Sequence, residues 1–243
     1  MLDVFSRAWR HPIDYLGITR ITALEFQERI QETDTIYSFI FSAPKLPAWK
    51  AGQHAIFTLP SKRVEGKTWR PFSVAAAPHE NVIRIDTIIS PEPSSFKQNL
   101  MSLQPGDPVR MFGPYGELYL RPRMKKVVAI AGGIGITPFR SIIAVMAHKG
   151  SNIAFHLIYS AKAEHVYQAD LEKWKAKLPN LEITYTATSD EVNAALEKEI
   201  TKDDNNTHYL LSGAPGMIEA LCQSLLDHGI KQDHILHDPF KGY

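Results

Sequence analysis

Between Ile21 and about residue 120, apolar and polar residues alternate in short runs: ITALEF, TIYSFIFSA, QHAIFTL, PFSVAAA, VIRIDTII and DPVRMFG, with Pro and Gly between them. A period of two sends successive side chains to opposite faces of a strand, and closely spaced strands separated by turn residues predict an antiparallel barrel or sandwich. One helix is predicted within this region, from about Ser95 to Leu103. From Lys126 the pattern changes. VVAIA is followed by a helical stretch from Pro138 to Lys149, IAFHLIYS by one from Asp170 to Lys177, LEITYTAT by HYLLSG, and HYLLSG by a helix from Pro215 to His228 before the closing HILHD. Strands alternating with helices predict a parallel sheet covered on its faces. The change falls near LRPRMKK, residues 120–126, where Pro122 and a basic cluster interrupt both patterns. The expected organisation is a leader at 1–20, a β domain at 21–122 and an α/β domain at 123–243.

The sharpest local feature is AGGIGITPF, residues 131–139, directly behind the apolar run KKVVAI. Thr137 suits an N-cap and Pro138 a first helical position. Phe139, Ile142, Ile143 and Met146 then fall on one helical stripe, and Gly150 supplies the stop. Gly132, Gly133 and Gly135 therefore lie between a strand end and a helix N-terminus. Free N–H groups and the positive end of the helix dipole favour an anion there, and the missing Cβ atoms let a phosphate approach the backbone. A tight strand-to-helix turn is the alternative. The loop lacks the Lys-Ser/Thr of a nucleoside-triphosphate loop, and Pro138 stands where the dinucleotide fingerprint has its third Gly or Ala.

Composition narrows the function classes. The 243 residues include 27 Lys and Arg against 26 Asp and Glu, a net charge of +1, which argues against a nucleic-acid binder. The single cysteine, Cys222, excludes an internal disulfide and a four-cysteine iron–sulfur cluster, and fits a reducing compartment. It shares a helical stripe with Ile218, Leu221 and Leu225, which predicts a buried structural thiol. No apolar run reaches the length of a membrane span, and the leader MLDVFSRAWRHPIDYLG has charges where a signal peptide needs an apolar core, so a cytoplasmic protein is expected. Phe5, Trp9 and Tyr15 with basic neighbours give that leader the means for a membrane or partner contact, against which stands packing on its own domain. The ten histidines show no metal-ligand spacing and no Gly-x-Ser-x-Gly elbow occurs, so no metal or hydrolytic chemistry is expected.

In TWRPFSVAAAP, Arg70 and Phe72 share one strand face, a pairing that suits a cofactor with phosphate at one end and a flat ring at the other, with an ordinary half-exposed strand as the alternative. With the glycine loop and YLLSGAPGMIEAL, the order of motifs resembles the ferredoxin–NADP reductase family over about Ile21 to Tyr243. The resemblance implies an antiparallel β-barrel flavin domain followed by an α/β parallel-sheet NAD(P)-binding domain. The family's Arg-x-Tyr-Ser motif matches Arg70-Pro71-Phe72-Ser73, which implies that Arg70 holds flavin phosphate, Phe72 covers a ring face and Ser73 hydrogen-bonds near the reactive N5. The match in PEPSSFKQNLMSLQPGD is looser. Ser94 stands where glycine is common and Lys97 where Ser or Thr sits; Ser95 remains a candidate donor, while Lys97 either adds a charge at the diphosphate or points to solvent. GPYGELYL, residues 113–120, matches the barrel's closing strand and turn.

In the second domain the resemblance puts Gly132, Gly133 and Gly135 at the diphosphate of a nicotinamide cofactor and Thr137-Pro138 near the nicotinamide. The family's Cys-Gly-Pro-x-x-Met aligns with Ser212-Gly213-Ala214-Pro215-Gly216-Met217, so Ser212 replaces a cysteine, with Gly213 and Met217 retained. The family shields the flavin with a C-terminal aromatic, for which Tyr243, or else Phe240, is the candidate. Asp238 either reaches the flavin edge or is solvated in a flexible tail. At the adenine ribose, Ser160 and Lys162 are candidates after one strand and Asp190 after the next. Lys162 suits a 2′-phosphate, whereas Asp190 repels it and accepts from a free 2′-hydroxyl, which tilts the balance to NADH. The implied protein carries FAD rather than FMN, takes NADH or NADPH, and passes single electrons to ferredoxin, flavodoxin or a metal centre. A free-flavin or ferric reductase, and a non-catalytic nucleotide-sensing subunit, are the alternatives.

Overall fold

The computed structural model describes residues 12–202 and 206–239, and the chain divides between Tyr119 and Leu120 into two compact units. In the first unit β1 (Ile21–Gln31), β2 (Ile36–Ser42), β3 (His54–Thr58), β4 (Trp69–Ser73), β5 (Ile83–Ile88) and β6 (Pro108–Tyr115) form one antiparallel sheet in the order β4-β3-β6-β1-β2-β5. The sheet curls until its two end strands meet, where the Ala75 N–H just beyond β4 donates to the Arg84 carbonyl of β5 at 2.8 Å. A barrel rather than a sandwich results. Alternation decides what lies inside: Leu24 and Phe26 of β1, Phe39 and Phe41 of β2, Ala55 and Phe57 of β3 and Val109 and Met111 of β6 are all buried in one cluster. Phe26 and Phe41 are register partners with ring centroids 5.9 Å apart, an edge-on contact that adds to their burial.

Before the barrel, a helical turn α1 (Pro12–Tyr15) and a 3₁₀ turn at Leu16–Thr19 pack on the same unit. Asp14 accepts from the Tyr119 hydroxyl at 2.7 Å and pairs with Lys50 at 3.4 Å, while its carbonyl accepts from the Gly116 N–H at 2.9 Å. The short helix α2 (Ser95–Met101) has Phe96 and Leu100 buried among the barrel's core residues, four positions apart on one helical face.

In the second unit β7 (Lys126–Gly132), β8 (Ala154–Ser160), β9 (Leu181–Thr186), β10 (Thr207–Gly213) and β11 (Ile235–Pro239) form a parallel sheet in the order β11-β10-β7-β8-β9. The connecting helices are α3 (Ile136–Lys149), α4 (Gln168–Lys175), α5 (Ser189–Thr201) and α6 (Pro215–Asp227). Val192 and Leu196 of α5 and Ile218, Leu221 and Leu225 of α6 pack with Val128, Ile130, Tyr209 and Leu211 of the sheet. Alternate residues Val127, Ala129 and Ala131 are equally buried and face the other side, as sheets covered on both faces require.

Three local expectations change. The sequence pattern gives no helix between LEITYTAT and HYLLSG, yet α5 fills it, opened by a capping box in which Thr188 accepts from the Glu191 N–H and Glu191 returns to the Thr188 N–H. Thr137 is not the N-cap of α3. A 3₁₀ turn at Gly133–Gly135 runs straight into the helix, Gly135 caps it, and the Thr137 hydroxyl donates backward to the Ile134 carbonyl at 2.7 Å. Pro138 thus sits third in the helix, still among positions whose N–H has no intrahelical acceptor, so its missing donor costs little. Gly150 ends α3 as expected, at φ 63° with its N–H on the Met146 carbonyl. Cys222 is half-buried at the margin of the core rather than enclosed in it.

Candidate functional site

Each unit carries its own cluster of chemistry-bearing residues. In the parallel sheet the chain winds from β7 through β8 to β9 on one side and returns through β10 to β11 on the other. The carboxyl ends of β7 and β10 therefore flank a topological switch point, where connections diverge and leave a crevice for a ligand. The glycine loop follows β7, and Ser212-Gly213 ends β10, with Ser212 in register with Ala131.

The glycines do different things. A Cβ on Gly135 would lie 2.2 Å from the Ser212 carbonyl oxygen, so only glycine lets the loop rest on the end of β10. Gly132 and Gly213 lie under the Met217 thioether, whose sulfur would be 2.5 Å and 3.3 Å from Cβ atoms placed on them. Gly133 has φ +53° and nothing within 4 Å of a would-be Cβ, so it forms the open side of the loop. Both α3 and α6 begin on this edge with no side-chain cap; the Ile136 N–H that opens α3 donates to the Gly133 carbonyl, and α6 opens on Pro215, which has no N–H, so what the two helices bring to this edge is the positive end of their dipoles. The Ser212 hydroxyl is completely buried and has no hydrogen-bond partner. A buried hydroxyl without a partner is destabilising by about 1–3 kcal/mol, the mark of a group kept for something other than stability.

Ser160, at the end of β8, is in register with Gly132 on one side and Thr186 on the other. Lys162 is exposed two residues on, and Asp190 is exposed in the first turn of α5. His165, which carries no signal in the sequence because a lone histidine fits any context, has its Nε2 3.1 Å from the Tyr159 carbonyl and 3.2 Å from that of Thr186. Asp238 belongs to β11, in register with Ser212, and so is held in the sheet rather than in a loose tail. Phe240 and Tyr243, the candidate lids, lie outside the described residues.

In the barrel unit, Arg70 and Phe72 share a face of β4 and are both buried, with Pro71 half-buried between them. Arg70 Nη1 donates to the carbonyls of Lys67 and Trp69 at 2.8 and 2.9 Å, and its Cζ stands 5.5 Å from the Phe96 ring centroid. Lys97 does not point freely to solvent. Its ammonium donates to the Ile88 carbonyl at 2.9 Å, and burial first, then the charge of Arg70, hold its pKa below the ordinary 10.5. Two cations repelling one another at the start of α2 form a field that an anion would relieve. Ser94, at the cap of that helix, and Ser73, at the end of β4, each carry a buried hydroxyl with no partner. The Ser95 hydroxyl, by contrast, accepts from the Glu65 N–H at 2.9 Å. Phe72, which the resemblance puts on a flavin ring face, is largely covered by its own unit. It packs on Phe57 and Phe96 at 5.8 and 6.2 Å and leaves 8 % of its surface open, so the ring is a wall of the core with little free face.

A flavin nucleotide fits this donor set at its phosphate end, through the cation pair and Ser94, and at a polar edge, through Ser73; the fit at a ring face is narrow. Among the described residues no cluster of His, Cys, Asp and Glu is arranged to hold a metal, and no helix is long and apolar enough to cross a membrane.

Residues 129–223, which span the glycine loop and most of α6, match the oxidoreductase NAD-binding domain. The fold is that of the ferredoxin–NADP reductase-like FAD/NAD-binding oxidoreductases, and the family match lies in the second unit alone. It is 28% identical over 156 residues to the toluate 1,2-dioxygenase electron transfer component of Pseudomonas putida, covering 60% of this chain and 46% of that one. It is 26% identical over 225 residues to a subunit of the Na(+)-translocating NADH-quinone reductase of Methylococcus capsulatus, covering 82% and 53%. The chain thus spans about half the length of these relatives. Among solved structures, a ferredoxin NADP+ reductase from Neisseria gonorrhoeae with bound FAD and NADP superposes with a TM-score of 0.73 at 21% identity, covering 90% of this chain and 98% of that one. The cytochrome b5 reductase domain of Ulva prolifera nitrate reductase superposes with a TM-score of 0.75 at 22% identity, covering 92% and 99%.

Proposed function

We propose that this chain is an NAD(P)H-dependent flavoprotein reductase. It moves a hydride between a nicotinamide nucleotide and FAD, and passes single electrons to or from a redox protein. The observation that carries the reading is the switch point of the second unit, where the glycine loop rests on the end of β10, α3 and α6 start, and the buried Ser212 hydroxyl has no hydrogen-bond partner.

Gly132, Gly133 and Gly135 seat the nucleotide diphosphate on backbone N–H groups, and the helix starts offset its charge. Ser212 spends its free hydroxyl on the nicotinamide end. It needs no nucleophilicity, since hydride transfer asks the protein only for position. In the barrel unit Arg70, Lys97 and Ser94 hold flavin phosphate and Ser73 hydrogen-bonds the ring edge. Bound flavin supplies the conversion of a two-electron hydride into single electrons. Asp190 favours NADH, because a carboxylate accepts from a ribose 2′-hydroxyl and repels a 2′-phosphate. A protein acceptor is the preferred partner because one relative is named an electron transfer component and another a reductase subunit.

Flavin content and anaerobic titration with NADH and NADPH test the reading. The expected result is a yellow protein whose flavin is bleached by NADH at lower concentration than by NADPH. A protein that retains neither FAD nor FMN after reconstitution overturns it.

A further inference from the structure

The segment between β8 and α4, residues 161–167, begins at the strand end where the proposed nucleotide's adenosine ribose belongs, and it carries Lys162. It is not held by the ladder alone. Ala161 N–H donates to the Thr186 carbonyl at 3.0 Å, Val166 N–H to the Tyr159 hydroxyl at 3.1 Å, and His165 Nε2 stands between the carbonyls of Tyr159 and Thr186. Both of those partners only accept, so Nε2 must carry the proton and share it between the ends of β8 and β9. The ring is fixed from both sides, edge-on to Tyr159 at 4.8 Å and to Tyr185 at 4.9 Å. Tyr185 is anchored in turn through its hydroxyl to Glu172 at 3.0 Å. A half-buried imidazole thus adds a side-chain bridge across the two strand ends, beside the Ala161 N–H bond and the Thr186 hydroxyl that donates to the Tyr159 carbonyl at 3.5 Å, just beyond their last paired residues Ser160 and Thr186.

We infer that His165 is a positioning residue for the adenosine half of the pyridine nucleotide. By tying the ends of β8 and β9 together it sets where Ser160 and Lys162 stand, without touching the nucleotide itself. The inference rests on the proposed function. Removing the imidazole loosens the segment, which keeps the Ala161 and Val166 bonds, so part of the nucleotide's binding free energy goes into re-ordering it. The nicotinamide half, seated at the glycine loop and Ser212, keeps its geometry.

The test compares the flavin-loaded protein with His165→Ala and His165→Gln, whose amide can still donate. Calorimetric titration with NAD+ reports binding, and anaerobic reduction by reduced nicotinamide mononucleotide, which lacks the adenosine half, reports the hydride site. The expected result is NAD+ binding about fivefold weaker in His165→Ala, the worth of roughly one net hydrogen bond, with recovery in His165→Gln and an unchanged rate with the mononucleotide. Unchanged NAD+ binding in His165→Ala, or a mononucleotide rate that falls in both variants, overturns the inference. Failure of NADH to reduce the unsubstituted protein overturns the functional reading and the inference together.

Discussion

Substituting Gly135 with alanine separates a loop that merely turns from one fitted against its neighbour. The added methyl would lie 2.2 Å from the Ser212 oxygen, 2.6 Å from its carbonyl carbon and 2.9 Å from the Gly213 nitrogen, all backbone atoms that cannot swing aside. Ordinary van der Waals separation requires one strand end to move by more than about 1 Å. Overpacking of that kind costs about 1–3 kcal/mol, which lowers the melting midpoint of a chain of this size by roughly 2–12 °C. Because the displaced group is Ser212 itself, NADH reduction should slow as well. Gly133→Ala is the control. It meets nothing within 4 Å, so its cost is the strain of a left-handed φ, about 1–2 kcal/mol, and its main effect is a methyl in the space where phosphate approaches. Thermal unfolding and NAD+ titration of both variants distinguish the two roles. A Gly135→Ala protein that melts within about 1 °C of the parent and binds NAD+ equally would refute the close packing of loop on strand.

Other expectations follow from the partnerless hydroxyls and the shifted groups. Ser212→Ala should be neutral or slightly stabilising in thermal unfolding, since it removes an unsatisfied buried group, while slowing reduction by NADH in stopped flow; equal rates would assign the hydroxyl no part in the reaction. Lys97 has its pKa lowered by burial and by Arg70, so in the free site it gives up its charge as pH rises toward 10.5, while the Arg70 guanidinium keeps its own. Flavin affinity, read by fluorescence, should fall over that window, and Lys97→Met should bind more weakly below it and lack the dependence; a parent protein with no such fall would contradict the phosphate assignment. His208 on β10, stacked on His234 with ring centroids 4.6 Å apart, has its pKa lowered below 6.5 by burial and then by that neighbour. The unfolded chain then binds more protons just below 6.5, so stability should fall as pH drops through that range, and His208→Phe should flatten the melting profile.

The parts of the molecule legible in the sequence were those where one residue type answers to one backbone demand. Alternation in ITALEF and DPVRMFG follows from the barrel's one-sided burial, and the apolar VVAIA from a strand covered on both faces. The glycine loop was legible as a junction between strand and helix, but not that Gly135 is reserved for the Ser212 carbonyl, a contact between segments 77 residues apart whose partner leaves no mark on its own sequence. Helix α5 was hidden because SDEVNAALEKEIT spreads its apolar positions thinly and turns Glu199 inward, where His156 and Lys126 meet it at 3.3 and 3.6 Å. Lys97 was ambiguous until its carbonyl partner and its repulsion by Arg70 were seen. Strand alternation gives the face that Phe72 shares with Arg70 but not what lies against its ring, here Phe57 and Phe96. His165 had no motif around it, since its partners are main-chain carbonyls and any residue supplies those.

The central claim is that nucleotide bound at the switch-point crevice delivers hydride to flavin held by this chain. It is tested most directly by mixing the flavin-loaded protein with NADH in the absence of oxygen and following the flavin absorbance through a single turnover. Bleaching is expected at a rate that saturates with NADH and drops in Ser212→Ala; flavin that stays oxidised at saturating NADH and NADPH would contradict the claim.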